Sequence, residues 1–196
     1  MNENYHHPDM PKGIEQGIID GIYSFSTSKV KGPKVQLMGS GVILREVIAA
    51  ANMLEKDFNI AADVYSVTSF TELRRNALDV ERWNRINPDK KERNAIIQNI
   101  IQDRESPIIA STDYMKSYPE QIARFLTNPF IALGTDGYGR SDSREALRSF
   151  FEVDRYHVVI AALKSLVDSK QIDKTVLISA IKKFKIDGQK PNPVSV

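Results

Sequence analysis

The chain has 196 residues, of which 41% are hydrophobic and 27% charged, and its formal net charge is +2. That composition describes a globular domain large enough for a real core rather than a disordered chain. There is no cysteine, which excludes disulfides, thiolate zinc sites and a cysteine nucleophile and fits a cytoplasmic protein, and no run approaches the about 18 apolar residues of a membrane span.

Residues 1–10 are polar, with His6-His7-Pro8, and read as an extended leading segment. Residues 11–188 read as a single α/β domain and 189–196 as a loop or frayed tail. Pro11 opens a short helix carrying Ile14, Ile18 and Ile19, which stops at Gly21. Ile22-Tyr23-Ser24-Phe25-Ser26 alternates apolar and polar as an edge strand does. The short turn after it favours antiparallel pairing. Val35 to Met38 is a strand that runs into Gly39-Ser40-Gly41. The next helix places Val47, Ala50 or Ala51, Leu54 and Phe58 on one face and stops at Asn59. Val64 to Val67 is a strand, Thr71 to Ile86 a helix, 87–93 a charged loop and Ala95 to Ile101 a short helix.

Pro107-Ile108-Ile109-Ala110 reads as a buried strand, and Ser117 with Glu120 as a capping box for the helix that runs to Leu126. Phe130 to Leu133 is the last strand. Three helical stretches follow, centred on Leu147, on Val159 to Val167 and on Leu177 to Phe184, with Asp154 and Asp173 as N-caps of the latter two. This alternation predicts an α/β fold: a mostly parallel sheet of about five strands, one edge strand antiparallel, with helices on both faces. Basic residues cluster at Arg74-Arg75 and Lys182-Lys183-Lys185, but acids are interspersed throughout. They read as solvated helix faces, not as a nucleic-acid or membrane surface.

The most informative segment is Leu133 to Glu145, which holds Gly134, Gly137 and Gly139 together with Asp136, Arg140, Asp142 and Arg144. It reads as strand, tight polar loop, then helix, with Asp142 and Glu145 as a capping-box-like start. Parallel strands bring their following loops to one edge, so Ser40, Ser69 and Asp136 should meet there. Asp136 and Asp142 are expected to pair with Arg140 or Arg144.

Other chemistry is poorly supported. Gly39-Ser40-Gly41 lacks the third glycine of a dinucleotide loop, since Leu44 stands there, and no acid ends the following strand. No serine sits in a Gly-x-Ser-x-Gly elbow. His6 and His7 are adjacent and diverge, and His157 lies in a helix's first turn with no obvious partner, so a metal site is not expected. Taken alone, the residues leave open a self-contained small-ligand or regulatory module at the strand ends.

Seven anchors occur in one order: Met1 to His6, Val35 to Gly41, Asp63 to Leu73, Glu81-Arg82-Trp83-Asn84, Ala110 to Lys116, the glycine loop, and Phe151-Glu152-Val153-Asp154. With them the chain resembles, over essentially its whole length, the C-terminal domain of the homodimeric type of pyruvate dehydrogenase, which shares its fold with the transketolase C-terminal domain. Glu81 to Asn84 favours this branch over a transketolase. The resemblance implies a parent enzyme that uses thiamine diphosphate and Mg to decarboxylate pyruvate. That enzyme reductively acetylates the lipoyl group of dihydrolipoyl acetyltransferase.

It further implies that residues 1–10 lead in from a preceding domain, and that the partners are the preceding domains and the dimer mate. The family's cofactor motif is Gly-Asp-Gly with asparagines downstream. Here Thr135 precedes Asp136, and no asparagine lies between Asn128 and Asn192. No catalytic, cofactor-binding or metal residue therefore carries over. The expected role is assembly, with Ser40, Ser69, Asp136, Arg140, Asp142 and Arg144 forming the rim that meets other domains.

Overall fold

The computed structural model describes residues 8–196. The readings made for residues 1–7, including His6 and His7, lie outside the described residues. Strands β1 (Ile22–Ser26), β2 (Lys34–Gly39), β3 (Ala61–Val67), β4 (Ile108–Ser111) and β5 (Phe130–Leu133) form one sheet in the order β1-β3-β2-β4-β5. β2 runs parallel to β3 and β4, and β4 parallel to β5. β1 is the antiparallel edge, as expected. Its partner is β3 rather than β2, the next strand in sequence. The link over residues 27–33 passes over β3, spanning two inter-strand spacings of about 5 Å each, and Asp63 of β3 anchors it. Its Oδ1 accepts from Ser28 N at 2.9 Å and its Oδ2 lies 2.7 Å from Lys34 Nζ.

The helices are α1 (Glu15–Asp20), α2 (Leu44–Phe58), α3 (Phe70–Ile86), α4 (Ile96–Ile100), α5 (Ser117–Ala123), α6 (Arg144–Phe150), α7 (Arg155–Asp168) and α8 (Lys174–Lys183). Successive strand residues point to opposite faces, so the buried strands feed two cores. Val35, Leu37, Val64 and Ile109 pack with α2, α7 and α8 on one face. Met38, Tyr65, Val67, Ile108 and Ala110 pack with α3, α4 and α5 on the other.

Helix starts match the sequence in part. Asp154 accepts from His157 N at 2.9 Å, and Asp173 from Thr175 N at 2.8 Å, so both act as the expected caps. The cap of α6 is Ser143, whose Oγ accepts from Ala146 N; Asp142 lies one residue outside and accepts from Ser143 N at 2.6 Å. Ser143 has the extended backbone that an N-cap needs. Ser117 is not a cap either: it is the first residue of α5, after Lys116, which makes no side-chain cap. His157 does have a partner, since its Nδ1 lies 2.8 Å from Asp154 Oδ1.

The C-terminal tail is docked rather than frayed. Pro193–Ser195 form a 3-10 turn in which Pro193 is buried. Lys190 Nζ donates to the carbonyls of Ser149 and Phe150 at 2.9 and 2.7 Å, capping the last turn of α6.

Candidate interface at the carboxyl edge of the sheet

Because β2 to β5 are parallel, their following loops leave from one edge. Strand order spreads them across it: Ser69 after β3, Ser40 after β2, Asp113 and Tyr114 after β4, Asp136 after β5. Ser40, Ser69 and Asp136 therefore share the edge but do not cluster, and the β4 loop stands between Ser40 and Asp136. Ser40 N donates to Ser111 O at 3.2 Å. Ser69 caps α3 by accepting from Glu72 N at 3.1 Å, and its neighbour Thr68 donates its hydroxyl to Ile18 O.

The β4 and β5 loops are tied to one another. Thr135 N donates to Tyr114 O at 2.9 Å, and Thr135 Oγ1 to Asp113 O at 2.6 Å. Asp136 Oδ1 accepts from Lys116 N at 3.1 Å, and its Oδ2 lies 4.0 Å from Lys116 Nζ. Gly134 permits this approach: a Cβ there would stand 2.6 Å from Tyr114 O and 2.7 Å from Lys116 N. Gly137, at φ +112°, turns the loop against the Pro193 carbonyl of the tail, a conformation and a clearance that suit glycine alone. Arg140 lies over the Phe150 ring, 4.1 Å from its centroid, and Lys190 approaches the same ring at 5.5 Å. The expected Asp136–Arg140 pairing is thus replaced. Asp136 serves a neighbouring loop and Arg140 stacks on an aromatic face, because the tail and α6 bring Phe150 within reach.

Two open clefts flank the β4 loop. One, of about 620 Å³, is lined by Val42, Asp113, Thr135, Tyr138, Arg140 and Phe151 among others. The second, of about 500 Å³, is walled by Pro8, Asp9, Tyr23, Ser40, Thr68 and Tyr114 among others. Behind the edge, Glu46 of α2 is buried and accepts four hydrogen bonds: from Arg148 Nη1 at 3.0 Å, and from Arg155 N, Nε and Nη2 at 3.1, 2.8 and 3.1 Å. Burial alone would raise its pKa. The Arg155 hydrogen bonds and the charges of Arg155 and Arg148 outweigh that and hold the carboxyl below its ordinary value. At the opposite edge, the buried Gln36 donates to the carbonyls of Asp103 and Ser106 and accepts from Tyr65. Burial, then the nearby Asp63 and Asp103, push the Tyr65 hydroxyl up to about 12.

The arrangement does not fit a pyrophosphate-bound divalent ion. Among the described residues no group of three or more His, Asp or Glu converges as a hard cation requires. Asp136, Asp142 and Asp154 each accept from a backbone N–H of their own surroundings. Sequence reasoning missed the Asp113-Tyr114-Met115 loop as part of the site, although it quoted those residues, and it missed Glu46 and the docked tail. The His157 pairing was missed too, although the predicted cap Asp154 carried the signal, since a cap carboxylate faces the residue three positions on.

The family described as "Transketolase-like TK C-terminal domain" matches residues 21–154. The "Pyruvate dehydrogenase E1 component" of Cupriavidus necator is 50% identical over 198 residues, covering 100% of this chain and 22% of the relative. The proteins of the same name from Pseudomonas aeruginosa and Escherichia coli are 53% and 52% identical, over 99% and 98% of this chain and 22% of each. The chain thus spans about a fifth of the length of the curated relatives it matches. Among solved structures, a Pichia stipitis transketolase in complex with sedoheptulose-7-phosphate superposes with TM-score 0.54 at 16% identity, over 81% of this chain and 20% of that one. The Campylobacter jejuni transketolase gives 0.51 at 18%, over 74% and 18%. At that identity the structures speak to fold alone, and they agree with the mostly parallel five-stranded sheet. From its sheet, its two-sided helical cover and the match over residues 21–154, the chain belongs to the transketolase-like C-terminal domain family.

Proposed function

We propose that this chain is the C-terminal assembly domain of a thiamine-diphosphate-dependent, acetyl-transferring pyruvate dehydrogenase component. The observation that carries this reading is identity at about half of all positions, along the whole chain, with proteins of that name, of which it spans about a fifth. Such end-to-end identity disfavours a self-contained ligand module. In this reading the longer enzyme decarboxylates pyruvate in the cytoplasm and reductively acetylates the lipoyl group of dihydrolipoyl acetyltransferase. Thiamine diphosphate and Mg belong to the preceding domains and the dimer they form. Residues 1–10 lead in from those domains, 11–188 build this one, and 189–196 fasten its last helices.

The contribution of this chain is geometric. Ser40, Ser69, Asp136, Arg140, Asp142 and Arg144 form a rim that faces the preceding domains and the dimer mate. Their polar atoms fit that role better than chemistry. Ser69 caps a helix, Asp136 joins two loops, Asp142 braces the Ser143 turn and Arg140 covers Phe150. The full-length polypeptide, given pyruvate, thiamine diphosphate and Mg, should release carbon dioxide and should not exchange two-carbon units between sugar phosphates. Sugar-phosphate exchange without pyruvate turnover would overturn the assignment.

A further inference from the structure

The carboxyl edge carries exposed apolar side chains on and after its β4 and β5 loops, which no described residue buries. Tyr114 is 61% exposed, Met115 53% and Tyr138 79%, and the ring of Tyr118 lies 5.4 Å from that of Tyr114. Aromatic residues and methionine are the types enriched in the centres of protein interfaces. These side chains are presented on backbone that is already fixed. The Tyr114 carbonyl accepts from Thr135 N, Asp136 holds Lys116 N, and the tail carbonyl of Pro193 backs Gly137, next to Tyr138. Pre-fixed loops lower the ordering cost of association.

Two observations bear on what covers these side chains. Pro8 and Asp9 wall the same cleft as Tyr114, so the first described residues lie at this edge. The curated relatives extend about four-fifths of their length beyond the matched part. We infer that Tyr114, Met115, Tyr118 and Tyr138 are the apolar anchors onto which the preceding part of the same subunit docks, with the charged rim acting as their scaffold. This rests on the reading of the chain as one domain of a longer enzyme and names the contact residues within it.

Hydroxyl-radical footprinting tests the inference, because methionine and tyrosine side chains react according to their solvent exposure. The 196-residue chain and the full-length polypeptide are labelled side by side. Labelling of Met115 and Tyr138 should fall by about fivefold or more in the full-length protein, as burial at an interface centre implies. Tyr156 should label equally in both. The protection should not change when the full-length protein is diluted until its dimer dissociates. Equal labelling of Met115 and Tyr138 in the two proteins would overturn the inference, and protection lost together with the dimer would reassign the surface to the second subunit. Pyruvate turnover, measured on the same sample, reports separately on the functional reading. An inactive but protected protein would refute that reading alone.

Discussion

Replacing Glu46 with alanine tests how the carboxyl-edge loop is held to the body of the domain. Glu46 sits on α2, over the central sheet, and accepts from Arg148 on α6 and Arg155 at the start of α7. It is therefore the polar fastening of the two helices that follow the glycine loop. The carboxylate side chain is 7% exposed and that of Arg148 17%. Removing one partner of a buried ion pair costs about 3–5 kcal/mol, because the remaining charge is left without compensation. The Arg155 side chain is 44% exposed, so water replaces part of what it loses and the lower half of that range is expected. At roughly 2–4 °C per kcal/mol for a domain of this size, the midpoint of thermal unfolding should fall by on the order of 10 °C.

The pH dependence has a definite sign. The folded pKa of Glu46 lies below its ordinary value of 4.5, so its contribution is fully present above that value and is lost as pH falls through the folded pKa. The stability difference between the parent chain and Glu46→Gln should therefore shrink below about pH 4.5. Chemical denaturation at pH 7 and pH 3.5 supplies both numbers. A loss under 1 kcal/mol at pH 7, or a difference that grows on acidification, would refute the view of Glu46 as a charged fastening.

Ser143→Ala should destabilise the chain by about 1 kcal/mol through loss of the α6 cap, while Asp142→Ala should cost less than half of that; urea titration of both variants decides which residue caps the helix. Gly137→Ala meets a left-handed backbone and the Pro193 carbonyl together, so hydrogen exchange across residues 137–144 and the tail should quicken while β2 and β3 stay protected. Lys190→Ala removes the donor to the Ser149 and Phe150 carbonyls and should loosen the same loop, which exchange measurements would reveal. The isolated chain, with its aromatic edge exposed, should show a monomer–dimer equilibrium in sedimentation; a strict monomer at high concentration would count against an exposed interface.

Much of the fold was legible because the strands are short apolar runs set between helical periods. Val35 to Met38, Ile108 to Ala110 and Phe130 to Leu133 needed no tertiary information, and Asp154 and Asp173 announced their helices. The position of β1 was not legible, since the link at 27–33 is compatible with either neighbour. The choice of β3 depends on contacts such as Ser28 with Asp63, 35 residues apart. The α6 cap was misread because two residues able to cap, Asp142 and Ser143, are adjacent, and only backbone conformation separates them. The edge as a place was predictable from parallel strands. Its internal bonding was not: Asp136 meets Lys116 across two loops, and Arg140 finds Phe150 because the tail and α6 place the ring beneath it. Glu46 was invisible for the same reason, its partners lying 102 and 109 residues away.

The central claim, that this chain assembles an enzyme without holding its cofactor, is tested most directly by calorimetric titration of thiamine diphosphate with Mg into two samples. The full-length polypeptide should bind saturably, and the 196-residue chain should give only heats of dilution. Saturable binding by the 196-residue chain would contradict the account.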